Sequence, residues 1–287
     1  MTQPSAASHS SKLTRRRFLQ MMAGSVTLAG GGGFYTRFVE PGWLDVTQIP
    51  LVISGLAPTL AGLRMAQISD IHLSQHTSPQ RLLDAVDAVN KLAPDLILIT
   101  GDFVGGSAQF GPGLIDPLRQ LTAPAFAILG NHDHWTGVER IGGYLAETPV
   151  TLLRNQGVSV ADGLWLAGID DVWAGRPDLS AAVRDAPAGA TTLLMAHEPD
   201  YFDQVIAADA PVAVQFSGHS HGGQVRLPGI GAPVLPYLGQ KYPIGLRAVG
   251  QRQVYTNRGL GVWPLPYRFN CRPEITLFVL EAPLLPG

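Results

Sequence analysis

Five short apolar runs in this 287-residue chain each stop abruptly at a cluster of acidic, amide or imidazole side chains. LRMAQIS runs into Asp70 and His72, DLILIT into Gly101-Asp102, and AFAIL into Gly130-Asn131-His132-Asp133. TTLLMA runs into His197-Glu198, and VAVQFS into Gly218-His219-Ser220-His221. Runs this short and this apolar read as strands buried on both faces, as parallel strands in layered proteins are. In such sheets ligands bind beyond the carboxyl ends of the strands. Adjacent parallel strands are therefore expected to bring all five clusters to one rim.

The segments between the runs support that reading. SPQRLLDAVDAVNKLAP is a helix opened by Ser78-Pro79 and closed by Pro94. VERIGGYLAE, LSAAVRDA and PDYFDQVIAA are further helices, and VTLLRNQGVSV and LWLAGID read as strands either side of a turn at Asp162-Gly163. Beyond Gly222 the chain is rich in Pro and Gly, and it ends in a strand, EITLFVLE. Alternating strands and helices make an α/β layered fold. No internal repeat or low-complexity linker divides the body.

Hydrophobic residues make up 46% of the chain and charged residues 15%, enough for a large core. A formal charge of −2 provides no basic field for nucleic acid, and no nucleic-acid partner is expected. With Cys271 as the single cysteine there is no internal disulfide and no cysteine-based zinc cluster. Any metal must then be held by His, Asp and Asn, a donor set suited to Mn, Fe or Zn. The rim offers Asp70, His72, Asp102, Asn131, His197, His219 and His221. Seven donors are too many for one tetrahedral ion and suit two, the arrangement used for displacement at phosphorus. Gly101, Gly130 and Gly218 each precede a candidate donor, where a sharp turn would aim it across the sheet edge. In Asp70-x-His72 and His219-x-His221 the spacing puts both side chains on one side of an extended segment.

The ordered set DIH, GD, GNHD, H and GHSH resembles the calcineurin-like metallophosphoesterases, from about Arg64 to Glu281. GHSHGGQ and NRGLG…PYRFNCRPEI resemble a bacterial branch with twin-arginine or membrane-anchoring N-termini. The resemblance implies a β-sandwich flanked by helices (αββα). It implies that Asp70, His72, Asp102 and His221 hold one ion and Asp102, Asn131, His197 and His219 the other, with a hydroxide between them as nucleophile. His132 would protonate the leaving oxygen or stabilise charge on it, and Asp133 would orient His132 or a neighbouring ligand. The implied reaction is hydrolysis of a phosphoric ester, taken here as a diester. The branch is also similar to enzymes that cleave nucleotide-linked lipids at a pyrophosphate. An inactive scaffold of the same fold is the reading from another class.

Other residues keep two readings each. His76 and His134 match no ligand position and are expected at the surface or behind the ligands. Asp171 either lines the pocket or caps a loop. Lys241, Arg258, Arg268 and Arg272 either clamp a phosphate or carry solvated charge. Gly222 and Gly223 let the backbone approach a substrate, and Gln224 is expected to begin a strand.

The N-terminus reads separately. Thr14-Arg15-Arg16-Arg17-Phe18-Leu19-Gln20 resembles a twin-arginine export motif, and an apolar run from Phe18 to Phe34 follows it. Residues 1–40 are therefore expected to be a signal or membrane anchor and 41–287 the catalytic domain. Export in a folded state would place the protein in a periplasm or on the outer face of a bacterial inner membrane. The run is shorter than the roughly 20 residues that span a bilayer, and only Thr27-Leu28-Ala29 offers a cleavage site.

Overall fold

The computed structural model describes Arg15 and residues 30–283. Of the export motif only Arg15 is among them, and of the apolar run only the part from residue 30, so that reading lies almost wholly outside the described residues. No helix among them is long and apolar enough to cross a membrane.

Among the described residues, twelve strands form two six-stranded sheets. In the first, β2 (Arg64–Ile68), β3 (Leu96–Thr100), β4 (Ala125–Ile128) and β5 (Val150–Leu152) run parallel. The antiparallel β12 (Glu274–Glu281) lies beside β2, and β1 (Asp45–Val52) lies at the edge, parallel to β12. In the second sheet β7 (Leu164–Gly168), β8 (Thr191–Met195), β9 (Val214–Ser217) and β11 (Arg252–Thr256) run parallel. Antiparallel edges close it: β6 (Gln156–Ala161) beside β7 and β10 (Gly245–Val249) beside β11.

Strands β3, β7 and β8 are buried along their whole length because each face meets a different core. Leu96 and Leu98 of β3 point into the sandwich with Leu193 and Met195 of β8. Ile97 and Ile99 point outward, against helices α1 (Pro79–Lys91) and α4 (Val138–Ala146), which lie either side of the short α2 (Ile115–Leu118) and α3 (Asn131–Thr136). On the other flank Leu194 and Ala196 meet α5 (Leu179–Val183) and α6 (Phe202–Ala207). The order helix, sheet, sheet, helix is the expected αββα sandwich. Helix α1 shows the local logic: the Ser78 side chain accepts from Arg81 N, and Leu82, Ala85, Val86 and Val89 form the buried stripe. Each large apolar residue of that stripe contributes roughly 1.5–3 kcal/mol by leaving water.

The structure corrects three local expectations. VTLLRNQGVSV is not one strand: it turns at Asn155 (φ 54), with β5 in the first sheet and β6 in the second. Gln224 begins no strand and sits left-handed (φ 54), followed by a single bridge from Val225 to Phe269. Strands β1, β10 and β11 were not evident in the sequence, and β1 carries Pro50, which an edge strand tolerates.

Candidate metal centre and cleft

All five clusters do meet at one rim, shared between two sheets. Strands β2, β3 and β4 deliver Asp70, Asp102 and Asn131 from one side, and β8 and β9 deliver His197 and His219 from the other. The sheets are joined beneath them by Gln67, which donates from Nε2 to Thr100 Oγ1 (2.9 Å) and to Ser217 O (3.0 Å).

The backbone at the rim is left-handed rather than extended. Asp70, His72, Asp102, His219 and His221 all have φ between 46° and 67°. Non-glycine residues rarely adopt this region, and such conformations gather at functional sites. Left-handed turns at alternate residues, not an extended segment, aim Asp70 with His72 and His219 with His221 inward. Gly101 (φ 94) has the conformation its sequence position suggested. Gly130 is extended (φ −109); it is glycine because a Cβ there would strike Asp102 Oδ1 and lie 2.8 Å from His197 Cε1. A Cβ on Gly218 would likewise strike Ser69 and Asp70.

The donor atoms converge. Asp70, His72 and His221 present atoms within 4.8 Å of one another, and so do Asp70, Asp102 and His197. His132 comes within the same reach of His72 and Asp102. His72 Nε2 lies 3.0 Å from His221 Nε2 and 3.4 Å from Asp102 Oδ2, and His197 Nε2 lies 3.2 Å from the same oxygen. His219 Nδ1 is 2.9 Å from Asn131 Oδ1. All seven candidate donors are thus in one cluster and buried.

Their protonation calls for positive charge at its centre. His197 donates Nδ1–H to Thr100 O (2.6 Å), and its buried Nε2 makes no hydrogen bond. His219 donates Nε2–H to Tyr237 O (2.7 Å), because a carbonyl can only accept. Burial and His197 lower the pKa of His219 to about 3, so the ring is neutral and its Nδ1 lone pair faces the Asn131 oxygen. Burial opposes charge on Asp102, but His197 and His72 hold its carboxylate well below the usual range. Burial likewise opposes charge on His197, yet Asp102 raises its pKa well above the usual value. Imidazole nitrogens turned on buried carboxylates and on one another suit cations, and this donor set fits divalent metal ions.

The residues around the donors have distinct tasks. Asp133 does not reach the His132 ring: its carboxyl accepts from Phe103 N (2.9 Å), Val104 N and Gly130 N (3.0 Å), tying together the turns that carry Asp102 and Asn131. Burial and the Asp102 charge raise its pKa to about 8. The half-buried His132 packs edge-on to Trp135 and Trp263, each at 5.0 Å. Burial, with His72 and His197, lowers its pKa to about 4, and its backbone N–H donates to Asp102 Oδ1 (2.8 Å). His134 pairs with Asp170 (2.8 Å), and His76 lies on a loop, against Gln75. Asp171 caps the loop after β7, accepting from Trp173 N and Ala174 N. Glu198 accepts from Val172 N and Trp173 N on the same loop.

None of the four candidate phosphate clamps faces the cluster. Lys241 pairs with Asp203, Arg258 with Glu274 and Asp45, and Arg272 stacks 3.5 Å over Trp43. Arg268 is fully buried and donates to the carbonyls of Arg258, Gly259, Gly261 and Cys271. The cluster opens into a cleft of about 610 Å³ whose lining includes Trp135, Trp173, Val234, Leu235, Trp263 and Leu265 and, among the described residues, no Lys or Arg. The aromatics of GVWPLPYRF do not by themselves signal this wall, because its tryptophans come from α3 and from two separate loops.

Comparison with known proteins agrees with this geometry. Residues 63–223 match the calcineurin-like phosphoesterase family. The metallophosphoesterase YkuE of Bacillus subtilis is 35% identical over 94% of this chain and 99% of its own. Phosphodiesterase YaeI of Escherichia coli is also 35% identical, over 93% and 99%. UDP-2,3-diacylglucosamine pyrophosphatase LpxG of Chlamydia trachomatis is 29% identical over 85% and 91%. A dimetal phosphatase from Danio rerio shares the fold, with a TM-score of 0.52 at 12% identity over 76% of this chain and 99% of that one. A match across more than half of the sequence, with close relatives along nearly all of it, means that the chain belongs to the calcineurin-like phosphoesterase family and is a metal-dependent phosphoester hydrolase.

Proposed function

We propose that this protein is a two-metal phosphodiesterase, exported by the twin-arginine route and held at or near the outer face of the membrane. Asp70, His72, Asp102 and His221 would hold one ion, and Asp102, Asn131, His197 and His219 the other. When bound, such ions supply Lewis-acid activation of water and neutralise charge at the phosphoryl group. The observation that carries the diester reading is the cation-free lining of the cleft. A diester has one negative charge for the ions to balance, whereas a monoester near neutral pH brings nearly two. His132 stands at the mouth as a neutral imidazole whose ring N–H can hydrogen-bond the leaving oxygen.

A second reading is supported by the apolar wall of the same cleft and by the LpxG relatives, whose name gives a pyrophosphatase of a diacylated nucleotide sugar. A substrate of that kind would place its acyl chains against Val234, Leu235 and Leu265.

The test is metal content of the full chain together with hydrolysis of bis-p-nitrophenyl phosphate and p-nitrophenyl phosphate in Mn or Zn, with Asp102→Ala in parallel. About two ions per chain, faster turnover of the diester and loss of both in the variant are the expected results. Faster turnover of the monoester would overturn the diester reading, and metal-free protein without turnover would overturn the whole proposal.

A further inference from the structure

From Gly222 to Pro273 the sequence has seven Lys or Arg residues and no Asp or Glu. The same span carries the two most exposed large apolar side chains among the described residues, Val234 (76%) and Ile230 (75%), followed by Leu265 at 62%. These side chains stand on two loops that are held together. Gln224 donates to Trp263 O (2.6 Å) and accepts from Trp263 N (2.8 Å), and Arg226 N donates to Phe269 O (2.8 Å).

The second loop also holds the N-terminal segment. Arg268 N donates to Thr36 O (2.9 Å), and Cys271 N donates to Glu40 Oε1 (2.6 Å). On either side of Thr36, Phe34 and Phe38 are exposed by 61% and 62%, with ring centroids 5.2 Å apart. Phe34 ends the apolar run that in the sequence begins at Phe18, behind Arg15, Arg16 and Arg17, and Phe38 lies one helical turn beyond it. Exposed apolar side chains from three segments are therefore linked through one loop, which also walls the cleft.

We infer that the catalytic body seats on an anionic phospholipid bilayer through this lip, with the mouth of the cleft towards the lipid. Lys241, Arg252 and Arg258 are paired with carboxylates and Arg268 is buried, but Arg226 and Arg272, on the same two loops as the apolar tips, make no ion pair among the described residues and complement an anionic headgroup layer. The rings of Trp135, Trp173, Trp263 and Tyr267 suit the boundary between headgroup and hydrocarbon. Seating of this kind delivers substrate from the bilayer rather than from solution. That last step rests on the phosphodiesterase reading; the seating itself does not.

Cys271 is the only cysteine and is buried, so the full chain with Ile230→Cys has a single accessible thiol for a polarity-sensitive fluorophore. Gln251→Cys is the control: it lies in the exposed turn before β11, at the end of the sheet opposite His219. Each labelled protein is mixed with vesicles of phosphatidylglycerol and phosphatidylethanolamine, floated, and assayed on bis-p-nitrophenyl phosphate in the same sample. The expected result is a blue shift at position 230, none at 251, and weaker binding at high salt. Protein that floats without a shift at 230 is tethered only by its N-terminus, and that outcome overturns the inference. A shift at both positions, or no flotation, overturns it too. Failure of turnover alone would count against the phosphodiesterase reading and leave the seating intact.

Discussion

Arg268 and Gly261 link the C-terminal loop to the candidate metal centre. Arg268 Nη2 donates to Gly261 O (2.6 Å), and Gly261 N donates to Asp70 O (2.7 Å). The buried guanidinium thus holds the strand of loop that presses on Asp70 and His72; a Cβ on Gly261 would strike Ile71 O. Arg268→Ala leaves several buried carbonyls without a donor, and a stability loss of roughly 2–5 kcal/mol is expected. Thermal unfolding measures it. Metal content should fall in the folded fraction, and Arg268→Lys should restore little, because an ammonium cannot reach four carbonyls from one fork.

Gly130 and Gly143 make a matched pair. Gly130→Ala puts a methyl group against Asp102 and His197, and loss of bound metal is expected with a cost of about 1–3 kcal/mol. Gly143 lies inside α4 with nothing within 4 Å of an added Cβ, so Gly143→Ala should stabilise by about 0.5–1 kcal/mol. Opposite shifts in the denaturant midpoint would confirm the contrast, and equal shifts would refute the packing account.

His132→Asn should separate chemistry from metal binding. The backbone N–H to Asp102 remains, so metal content is expected to stay near that of the wild type. Turnover should drop by roughly 10²–10⁴, with little change in KM, if the ring serves the leaving oxygen. Loss of metal in this variant would instead make His132 a ligand.

Asp170 fastens α3 to the end of β7. It accepts from His134 (2.8 Å) and Arg154, and although burial opposes its charge, these partners hold its carboxyl below the usual range. A depressed folded pKa contributes stability that is present above the unfolded value of about 4 and is lost as the pH falls through the folded value. Asp170→Asn should therefore destabilise by roughly 1–3 kcal/mol at pH 7. Unfolding measured down a pH series should show the gap to wild type narrowing below about pH 4. A gap that stayed constant would show that shape, rather than charge, matters at this position.

The convergence of the candidate donors was legible in the sequence because its signal is local. An apolar run that stops at Asp, His or Asn states where a strand ends and which groups its end presents, and α1 shows the same directness in its stripe and its Ser78 cap. Tertiary structure alone decided whatever depends on partners distant in sequence. The five strand ends come from two sheets, stacked by the apolar interior and joined through Gln67 and Ser217, 150 residues apart. Arg268 is indistinguishable in sequence from a surface arginine, and only the closed loop gives it four carbonyls to hold. Gly130 and Gly218 signal turns when read along the chain, yet they are glycines because side chains from other strands leave no room for a Cβ. Local sequence determines backbone period and donor type, whereas close packing determines which neighbour a side chain meets.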